Sequence, residues 1–142
     1  MRLIWPMIDH ERVTSPYGLR VHPVTRQRSY HTGIDIAAPV GTSVRAAFAG
    51  EVSAVWEDIT HGGGLTVLLR GTVDGHAVQI GYAHLSRALV RVSDVVAAGA
   101  EIARSGGQPG AYGAGRSTAP HLHITIRIDG ERVDPQSLDW MR

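Results

Sequence analysis

The sequence predicts an all-β domain, mainly antiparallel and built as a sandwich or barrel. Seventeen Gly and seven Pro punctuate short apolar runs in 142 residues, which is typical of a chain with many turns. Asp74-Gly75 and Asp129-Gly130 each separate two apolar segments in the manner of tight hairpin turns. No long helical pattern is present.

The strand candidates lie in the apolar runs 43–56, 65–70, 77–82, 88–92 and 122–128. The last run is the clearest, because Ile124, Ile126 and Ile128 alternate with polar Thr125 and Arg127, the period of a half-buried strand. Residues 92–103 fit a short helix, but Gly99 and the β-branched residues make a turn followed by a strand an equal alternative.

The length and charge of the chain limit its organisation and its partners. We expect a single domain over residues 1–142, with 1–13 as an N-terminal lead-in, because a chain of this length buries about two thirds of the surface that it exposes when unfolded. Fourteen basic and 13 acidic residues give a net charge of +1, without the basic field that nucleic-acid binding uses. We therefore expect no nucleic-acid partner.

The N-terminal residues and the absence of Cys bear on compartment and on metal chemistry. Residues 1–8 form a short apolar run, interrupted by Pro6, that is too short for a signal-peptide core or a membrane span. We expect no export signal and no membrane association, so the chain is a mature fragment, an engineered chain or a protein delivered by another route. Without Cys, a zinc site must rest on His and carboxylate ligands, and the chain has eight His.

His121 and His123 lie at the start of the clearest strand. Residues two apart on a strand point to the same face and have Cα atoms about 6.5–7 Å apart, so both imidazoles can reach one metal ion. Two polar residues on the solvated face of a strand would produce the same pattern, and a lone His-x-His pair does not decide between the two.

His31 and Asp35 lie in a segment that is poor in helix formers, and we place them on a bent strand or loop with Gly33 at the bend. Taken alone, their spacing also suits a solvated loop. Together with the His-x-His pair they supply the two-His, one-carboxylate set that a catalytic zinc takes while one position stays open for water.

Residues 106–119 form a Gly-rich loop that runs directly into His121. Its spacing imitates a phosphate-binding loop, but Arg116 replaces the lysine and Pro120 with the following strand precludes the required helix. We interpret the loop as a flexible wall beside the metal site. A plain surface excursion is the alternative.

Three ordered segments carry a resemblance to a known family. They are 17–23 (YGLRVHP) leading to 31–35 (HTGID), then 82–86 (YAHLS), then 115–123 (GRSTAPHLH). This resembles the lysostaphin/LytM-type zinc metallopeptidases, which cut peptide bonds in bacterial peptidoglycan. The similarity runs from about Thr14 to residues 133–135, nearly the whole chain.

The resemblance implies a groove over a β-sheet, walled by long loops, and one Zn²⁺ per chain held by His31, Asp35 and His123. It gives His84 and His121 catalytic roles. Spacing alone does not separate His121 from His123, and their distinct roles rest on the family. The chain departs from the family pattern in its long segment 106–115 and in Ala119, where Gly is common; neither affects the metal set, and both bear on the shape of one groove wall.

From this resemblance we expect a monomeric zinc endopeptidase that hydrolyses peptidoglycan stem-peptide cross-links, at the D-alanyl to meso-diaminopimelate bond rather than at pentaglycine. The chain ends soon after residue 135, which leaves no room for the targeting domain that usually accompanies glycine-bridge enzymes. We expect action on the cell wall, in the periplasm, outside the cell or on a virion; the lack of an export signal favours a bacteriophage-borne lysin. The alternative is a non-catalytic module of the same fold that binds cell wall or activates another hydrolase.

The remaining polar candidates receive lesser roles. We expect surface or packing positions for the other four histidines, His10, His22, His61 and His76. Tyrosine hydroxyls could donate a hydrogen bond to a developing oxyanion, and the chain has four tyrosines, Tyr17, Tyr30, Tyr82 and Tyr112. Tyrosines at strand ends more often pack at the edge of the core. Serine-hydrolase chemistry at Ser86 or Ser117 is not expected, because no nucleophile-elbow pattern surrounds either.

Overall fold

A computed structural model describes residues 1–57 and 62–142 of the chain. Within these ranges the chain forms fifteen β-strands and one short 3-10 helix, Pro135–Ser137, between the last two strands. The strands are β1 (Arg2–Ile4), β2 (Val13–Ser15), β3 (Gly18–Val21), β4 (Arg28–His31), β5 (Ile34–Ala37), β6 (Ser43–Arg45), β7 (Gly50–Trp56), β8 (Thr66–Val73), β9 (His76–Ala83), β10 (Leu85–Ala88), β11 (Val95–Val96), β12 (Glu101–Ser105), β13 (His121–Ile128), β14 (Glu131–Val133) and β15 (Asp139–Met141).

The main sheet has the strand order β11-β7-β8-β9-β13-β5-β2, with β14 paired to the second half of β13. Its neighbouring strands are antiparallel. A smaller antiparallel sheet has the order β10-β12-β6, and β3 and β4 form a separate hairpin. The prediction of a mainly antiparallel all-β fold is confirmed. No helix in the described ranges has the length and apolar character needed to cross a bilayer.

Both sheets contribute to one buried apolar cluster. The main sheet supplies Ile124 and Ile126 of β13, and the smaller sheet supplies Val44 of β6 and Ile102 of β12, all without exposed surface. Tyr82 of β9 is also fully buried, and its hydroxyl accepts a hydrogen bond from the backbone N–H of Ala47 at 3.0 Å. This bond satisfies the phenol inside the core.

The two predicted Asp-Gly hairpins are present. Asp74-Gly75 joins β8 to β9 and Asp129-Gly130 joins β13 to β14, and all four residues have positive φ. Asp and Gly tolerate this region, and two successive positive φ values match the twist of a two-residue hairpin. These turns therefore fix the register of both strand pairs.

The strand predictions differ in accuracy. Runs 77–82 and 122–128 fall within β9 and β13, and run 65–70 largely within β8, whereas run 43–56 divides into β6 and β7. Run 88–92 is wrong, because the strand there is β10, which ends at Ala88. The Asp94 carboxylate accepts a hydrogen bond from the N–H of Arg91 at 2.8 Å. This side-chain-to-backbone bond forms a local turn, which competes with the hydrogen bonds of a β-strand. For residues 92–103 the turn-and-strand alternative is correct.

The N-terminal segment is more than a lead-in. Its β1 pairs in parallel with β15 near the other end of the chain, and Leu3, Trp5 and Met7 are buried in the core. Such a long-range pairing leaves no local pattern in the sequence, and Pro6 hides the alternation. Truncating residues 1–13 would therefore remove three core side chains.

Gly33 lies at the bend between β4 and β5, as predicted. Its φ is not in the left-handed region, but a Cβ at this position would overlap the backbone carbonyl of Ile124. Glycine is thus required for close approach of the β4–β5 bend to β13, which brings His31 towards the histidines of β13.

Candidate metal centre

The five residues predicted for the site converge at one end of the main sheet. His31 ends β4, Asp35 lies in β5, His121 and His123 begin β13, and His84 lies between β9 and β10. Each is partly buried. The structure therefore brings together every residue that the sequence analysis placed in the site.

Strand register explains the convergence. His123 lies opposite Asp35 on one side and opposite Ala83 on the other, so β13 is the central strand of the site. The next residue after Ala83 is His84, where β9 leaves the sheet. Facing positions on neighbouring antiparallel strands are about 4.5–5.5 Å apart, which is close enough for their side chains to share one ion.

Asp35 occupies the centre of the ligand set. Its Oδ1 lies 3.4 Å from His31 Nε2 and 2.8 Å from His123 Nδ1. Ligands about 2.0–2.1 Å from a tetrahedral zinc are separated by about 3.4 Å, so these spacings suit a single ion. Among the described residues, His31, Asp35 and His123 form a group whose donor atoms all lie within 4.8 Å of one another.

His121 also approaches Asp35. Its Nε2 lies 3.4 Å from Asp35 Oδ1, the same distance as His31 Nε2, but it is not part of the mutually close donor group. Its ring instead packs beside that of His84, with centroids 4.8 Å apart and the ring planes tilted by 59°. The His84 and His121 rings thus form a pair beside the three-residue group.

Backbone carbonyls fix the orientation of three imidazoles. His31 Nδ1 lies 2.9 Å from the carbonyl of Pro16, His84 Nδ1 2.7 Å from that of Ala114, and His121 Nδ1 2.6 Å from that of Ala119. A carbonyl only accepts, so in each ring Nδ1 carries the proton and Nε2 has the free lone pair in the neutral form. His123 differs, because its Nδ1 faces Asp35.

The electrostatics favour an ionised carboxylate among the rings. Burial alone would raise the pKa of Asp35, but hydrogen bonds from His123 and His31 outweigh it and hold that pKa well below its usual range. The pKa of His31 is raised, mainly by its hydrogen bond to Asp35. The pKa of His84 is lowered, mainly by burial, so its neutral form is favoured.

His84 has an unusual backbone conformation. Its φ is +57°, a region that non-glycine residues seldom adopt and that clusters at functional sites. Two backbone hydrogen bonds hold it there, from His84 N–H to Gly63 O at 2.7 Å and from Leu85 N–H to Leu65 O at 3.1 Å. This conformation turns the His84 ring towards His121.

The Gly-rich loop lies beside the site, as predicted, but it is tied down. Leu65 N–H donates to Gly113 O and Arg116 N–H to Gly62 O, both at 3.0 Å. The loop also supplies the carbonyls of Ala114 and Ala119 that orient His84 and His121. A plain surface excursion does not fit these contacts.

Sequence reasoning missed the residues that support the imidazoles. Three act through backbone carbonyls, Pro16, Ala114 and Ala119, and side-chain identity gives no signal for them. Ser117 is the exception, since its Oγ lies 2.7 Å from both Gly107 O and Ala119 O, to one of which its hydroxyl donates, and 3.3 Å from His121 Nδ1. Its position four residues before His121 was a usable signal.

The other candidates lie elsewhere. His22 Nδ1 accepts from two backbone N–H groups of its own turn, and His76 bonds Asp129 at 2.7 Å. His61 lies outside the described residues. Tyr82 is in the core, the Tyr30 hydroxyl donates to Tyr17 at 2.7 Å, and Tyr112 is exposed.

A groove of about 290 Å³ opens over the sheet next to the metal-ligand candidates. Its lining includes His123, Gly81 and Thr125, together with Trp56, Arg127 and Arg132 towards its edges. The predicted groove over a β-sheet is therefore present in the described part of the chain.

Comparison with known proteins identifies the family. The model of peptidase family M23 matches residues 29–135, which contain all five site residues. The chain belongs to peptidase family M23. This confirms the resemblance to lysostaphin/LytM-type peptidases.

Several M23 relatives resemble the chain over most of its length. It is 38% identical over 135 residues to the DD-carboxypeptidase/endopeptidase Mpg of Neisseria meningitidis, covering 95% of this chain and 28% of Mpg. It is 34% identical to the peptidoglycan DD-endopeptidase ShyC of Vibrio cholerae, covering 93% of this chain and 28% of ShyC. The chain thus spans about 28% of the length of these relatives.

Solved M23 structures share the fold. A zinc-containing peptidase from Vibrio cholerae has a TM-score of 0.79 at 29% identity, covering 96% of this chain and 40% of that one. A mutant catalytic domain of the prophage-encoded M23 protein EnpA from Enterococcus faecalis has a TM-score of 0.73 at 31% identity, covering 94% of both. The lysostaphin catalytic domain from Staphylococcus simulans has a TM-score of 0.66 at 30% identity, covering 91% and 90%.

Proposed function

We propose that this chain is the catalytic domain of a zinc-dependent endopeptidase that hydrolyses peptide cross-links in bacterial peptidoglycan. The observation that carries the proposal is the convergence of His31, Asp35 and His123 with the His84–His121 pair at the head of one groove. The names of the M23 relatives support peptidoglycan as the substrate. The site of action is then the cell wall.

The proposed zinc ligands are His31 Nε2, Asp35 Oδ1 and His123 Nδ1. Two neutral imidazole nitrogens and one carboxylate oxygen are a donor set typical of catalytic zinc, and three protein ligands leave a position for water or substrate. When bound, zinc polarises the scissile carbonyl and lowers the pKa of water from 15.7 towards about 7. The Pro16 carbonyl keeps His31 in the tautomer that this role requires.

His84 and His121 are proposed to move protons. Each ring is held by a carbonyl at Nδ1, which leaves Nε2 to accept a proton from the attacking water and to donate one to the leaving amine. Burial lowers the pKa of His84, so this ring is neutral and able to accept at neutral pH. The like charges that would develop on two rings 4.8 Å apart favour a single shared proton.

The proposed scissile bond is the D-alanyl to meso-diaminopimelate cross-link. Of the relatives described above, the Neisseria protein is named a DD-carboxypeptidase/endopeptidase and the Vibrio protein a peptidoglycan DD-endopeptidase. The similarity to lysostaphin at 30% identity keeps glycine bridges as the competing substrate. The expectations of a monomer and of a phage-borne lysin stay predictions.

A non-catalytic cell-wall module is the alternative function. Degenerate members of this fold lack metal ligands, whereas the present site retains all three ligand candidates and both histidines of the proposed proton-transfer pair. The hydrogen bonds from imidazole Nδ1 to backbone carbonyls orient the rings for metal binding and proton transfer, which a binding module does not need. The geometry therefore favours catalysis.

The test is digestion of purified sacculi of both cross-link types, with released fragments identified by mass spectrometry. Zinc-loaded protein should release monomeric peptides from diaminopimelate-type walls, and His84→Ala should release almost none. New amino groups on glycine alone would overturn the proposed bond. Absence of cleavage in both walls would overturn the catalytic function and favour the binding module.

A further inference from the structure

The outward face of the main sheet continues beyond the metal centre. Along β13, His123, Thr125 and Arg127 point to this same face, because successive strand residues alternate sides. Four residues of strand separate His123 from Arg127, a distance of about 13 Å. The strand therefore presents a metal ligand at one position and a guanidinium at a fixed distance from it.

Arg127 belongs to a row of polar residues that crosses several strands. It lies opposite Arg132 of β14 on one side and opposite Gln79 of β9 on the other, and Gln79 in turn lies opposite Arg70 of β8. Paired residues on neighbouring strands share a face. The row thus lies on the face that carries the metal centre, with Thr125 and Gly81 between the two.

Two grooves meet at this row. The 290 Å³ groove reaches from His123 to Arg127 and Arg132, and a second groove of about 570 Å³ also contains Arg127 and Gln79 and continues past Arg70. Between the row and the metal centre, the side chains on the groove floor are small, because Gly81 lies opposite Thr125. An extended chain can lie along this path.

The charges along the row are not balanced equally. Arg70 Nη2 lies 2.9 Å from Glu51 Oε1, which neutralises that end. Arg127 donates to the backbone carbonyl of Gly130 at 3.2 Å, a contact that orients the guanidinium without neutralising it. Arg127 and Arg132 lie directly opposite each other, and like charges in such pairs are destabilising, so an anion bound between the two guanidinium groups would stabilise the pair.

We propose that Arg127 and Arg132 form a subsite that binds a free carboxylate of the peptidoglycan stem peptide, about 13 Å along the groove from the scissile bond. This inference rests on the proposed function and adds to it a determinant of substrate charge. An extended peptide advances about 3.3–3.6 Å per residue, so the bound carboxylate belongs to a residue about four positions from the cleaved bond. Guanidinium groups bind carboxylates through paired N–H donors.

The test compares two soluble cross-linked muropeptide dimers, one with free stem carboxylates and one with those carboxylates amidated. Wild-type protein should show a KM about tenfold lower for the free acid, the range of a charge-assisted hydrogen bond. Arg127→Gln and Arg132→Gln should each raise KM for the free acid towards the amidated value and leave kcat unchanged. Arg127→Lys should give an intermediate KM, because it keeps the charge and loses the fork.

Arg87→Gln is the matched control, since Arg87 is an exposed arginine on β10 in the other sheet, and it should behave as wild type. Thermal melting verifies that each variant is folded, and Arg132→Gln substitutes for Arg127→Gln if the latter is not. Equal KM values of wild-type protein for both dimers, or an equal rise in Arg87→Gln, would overturn the subsite while the endopeptidase function stands. Failure of wild type to cleave either dimer would overturn the proposed function and this inference with it.

Discussion

The two faces of β13 differ completely in character. On the inner face, Leu122, Ile124 and Ile126 have no exposed surface. On the outer face, His121 and His123 are partly exposed at the metal centre and Arg127 is exposed further along. One strand therefore joins the buried core to the metal centre.

Packing of the inner face of β13 determines which residues meet at the metal centre on the outer face. A shift of one residue in the register of β13 would exchange its faces, burying the imidazoles and exposing three large apolar residues. Exposing each of them would cost about 1.5–3 kcal/mol. The inner face thus fixes the register that sets His123 opposite Asp35, although its side chains point away from the metal centre.

The largest expected effect on activity comes from the His84–His121 pair. We expect His84→Ala and His121→Ala to lose about 10²–10⁴-fold in kcat, the typical contribution of a positioned proton-transfer group, and to keep their zinc. Metal analysis and kinetics on the same preparations separate a ligand from a base. Loss of the metal in His121→Ala would contradict the role assigned to this residue, because both rings of the His-x-His pair would then be ligands.

The sequence predicted the residues of the metal centre, but it did not predict the backbone carbonyls that orient their imidazoles. Alternation of Ile124 and Ile126 with polar residues indicated β13, and the Asp-Gly pairs indicated its turn, because these are local signals. The carbonyls of Ala114 and Ala119 could not be predicted, since any residue can supply a carbonyl and its direction depends on how the loop folds.

Long-range pairing limited the prediction of the fold. The parallel pair of β1 and β15 joins the two ends of the chain, and the burial of Leu3 and Trp5 follows from it rather than from the local sequence. Likewise, Gly33 was expected at a bend, but the reason for glycine is the nearby carbonyl of Ile124, 91 positions later in the chain.

An inner-face substitution should affect stability rather than chemistry. Ile124→Ala should lower the free energy of unfolding by about 2–5 kcal/mol, the range for deleting a buried branched side chain and leaving a cavity. Thr125→Ala, the neighbouring outer-face control, should change it by less than about 1 kcal/mol. Urea unfolding of both variants provides the measurement. Equal losses would mean that β13 is not packed on one face only.

The smallest expected effect lies at the hairpin at the far end of β13. The pKa of Asp129 is lowered, first by its hydrogen bond from His76 and then by the bond from the Ala77 N–H. A lowered pKa in the folded state stabilises the fold above the ordinary carboxyl pKa of 3.8, and the stabilisation is lost as pH falls through the lowered value.

Asp129→Asn, which tolerates the same positive φ, should therefore melt slightly below wild type at pH 7, and the difference should shrink as the pH falls below about 4. Melting temperatures across this range check the sign. A difference that grows on acidification would contradict the assignment. The kcat of cleavage at pH 7 should be unchanged, because the hairpin is remote from the metal centre.

Zinc content is the most direct test of the metal centre. Metal analysis of protein prepared in excess zinc and then dialysed should find about one zinc per wild-type chain and per chain of His76→Ala, an exposed-histidine control. His123→Ala should retain almost none, because two ligands seldom hold a catalytic zinc. Absence of zinc from the wild-type protein, or an unchanged zinc content in His123→Ala, would contradict the assignment of His31, Asp35 and His123 as the metal centre.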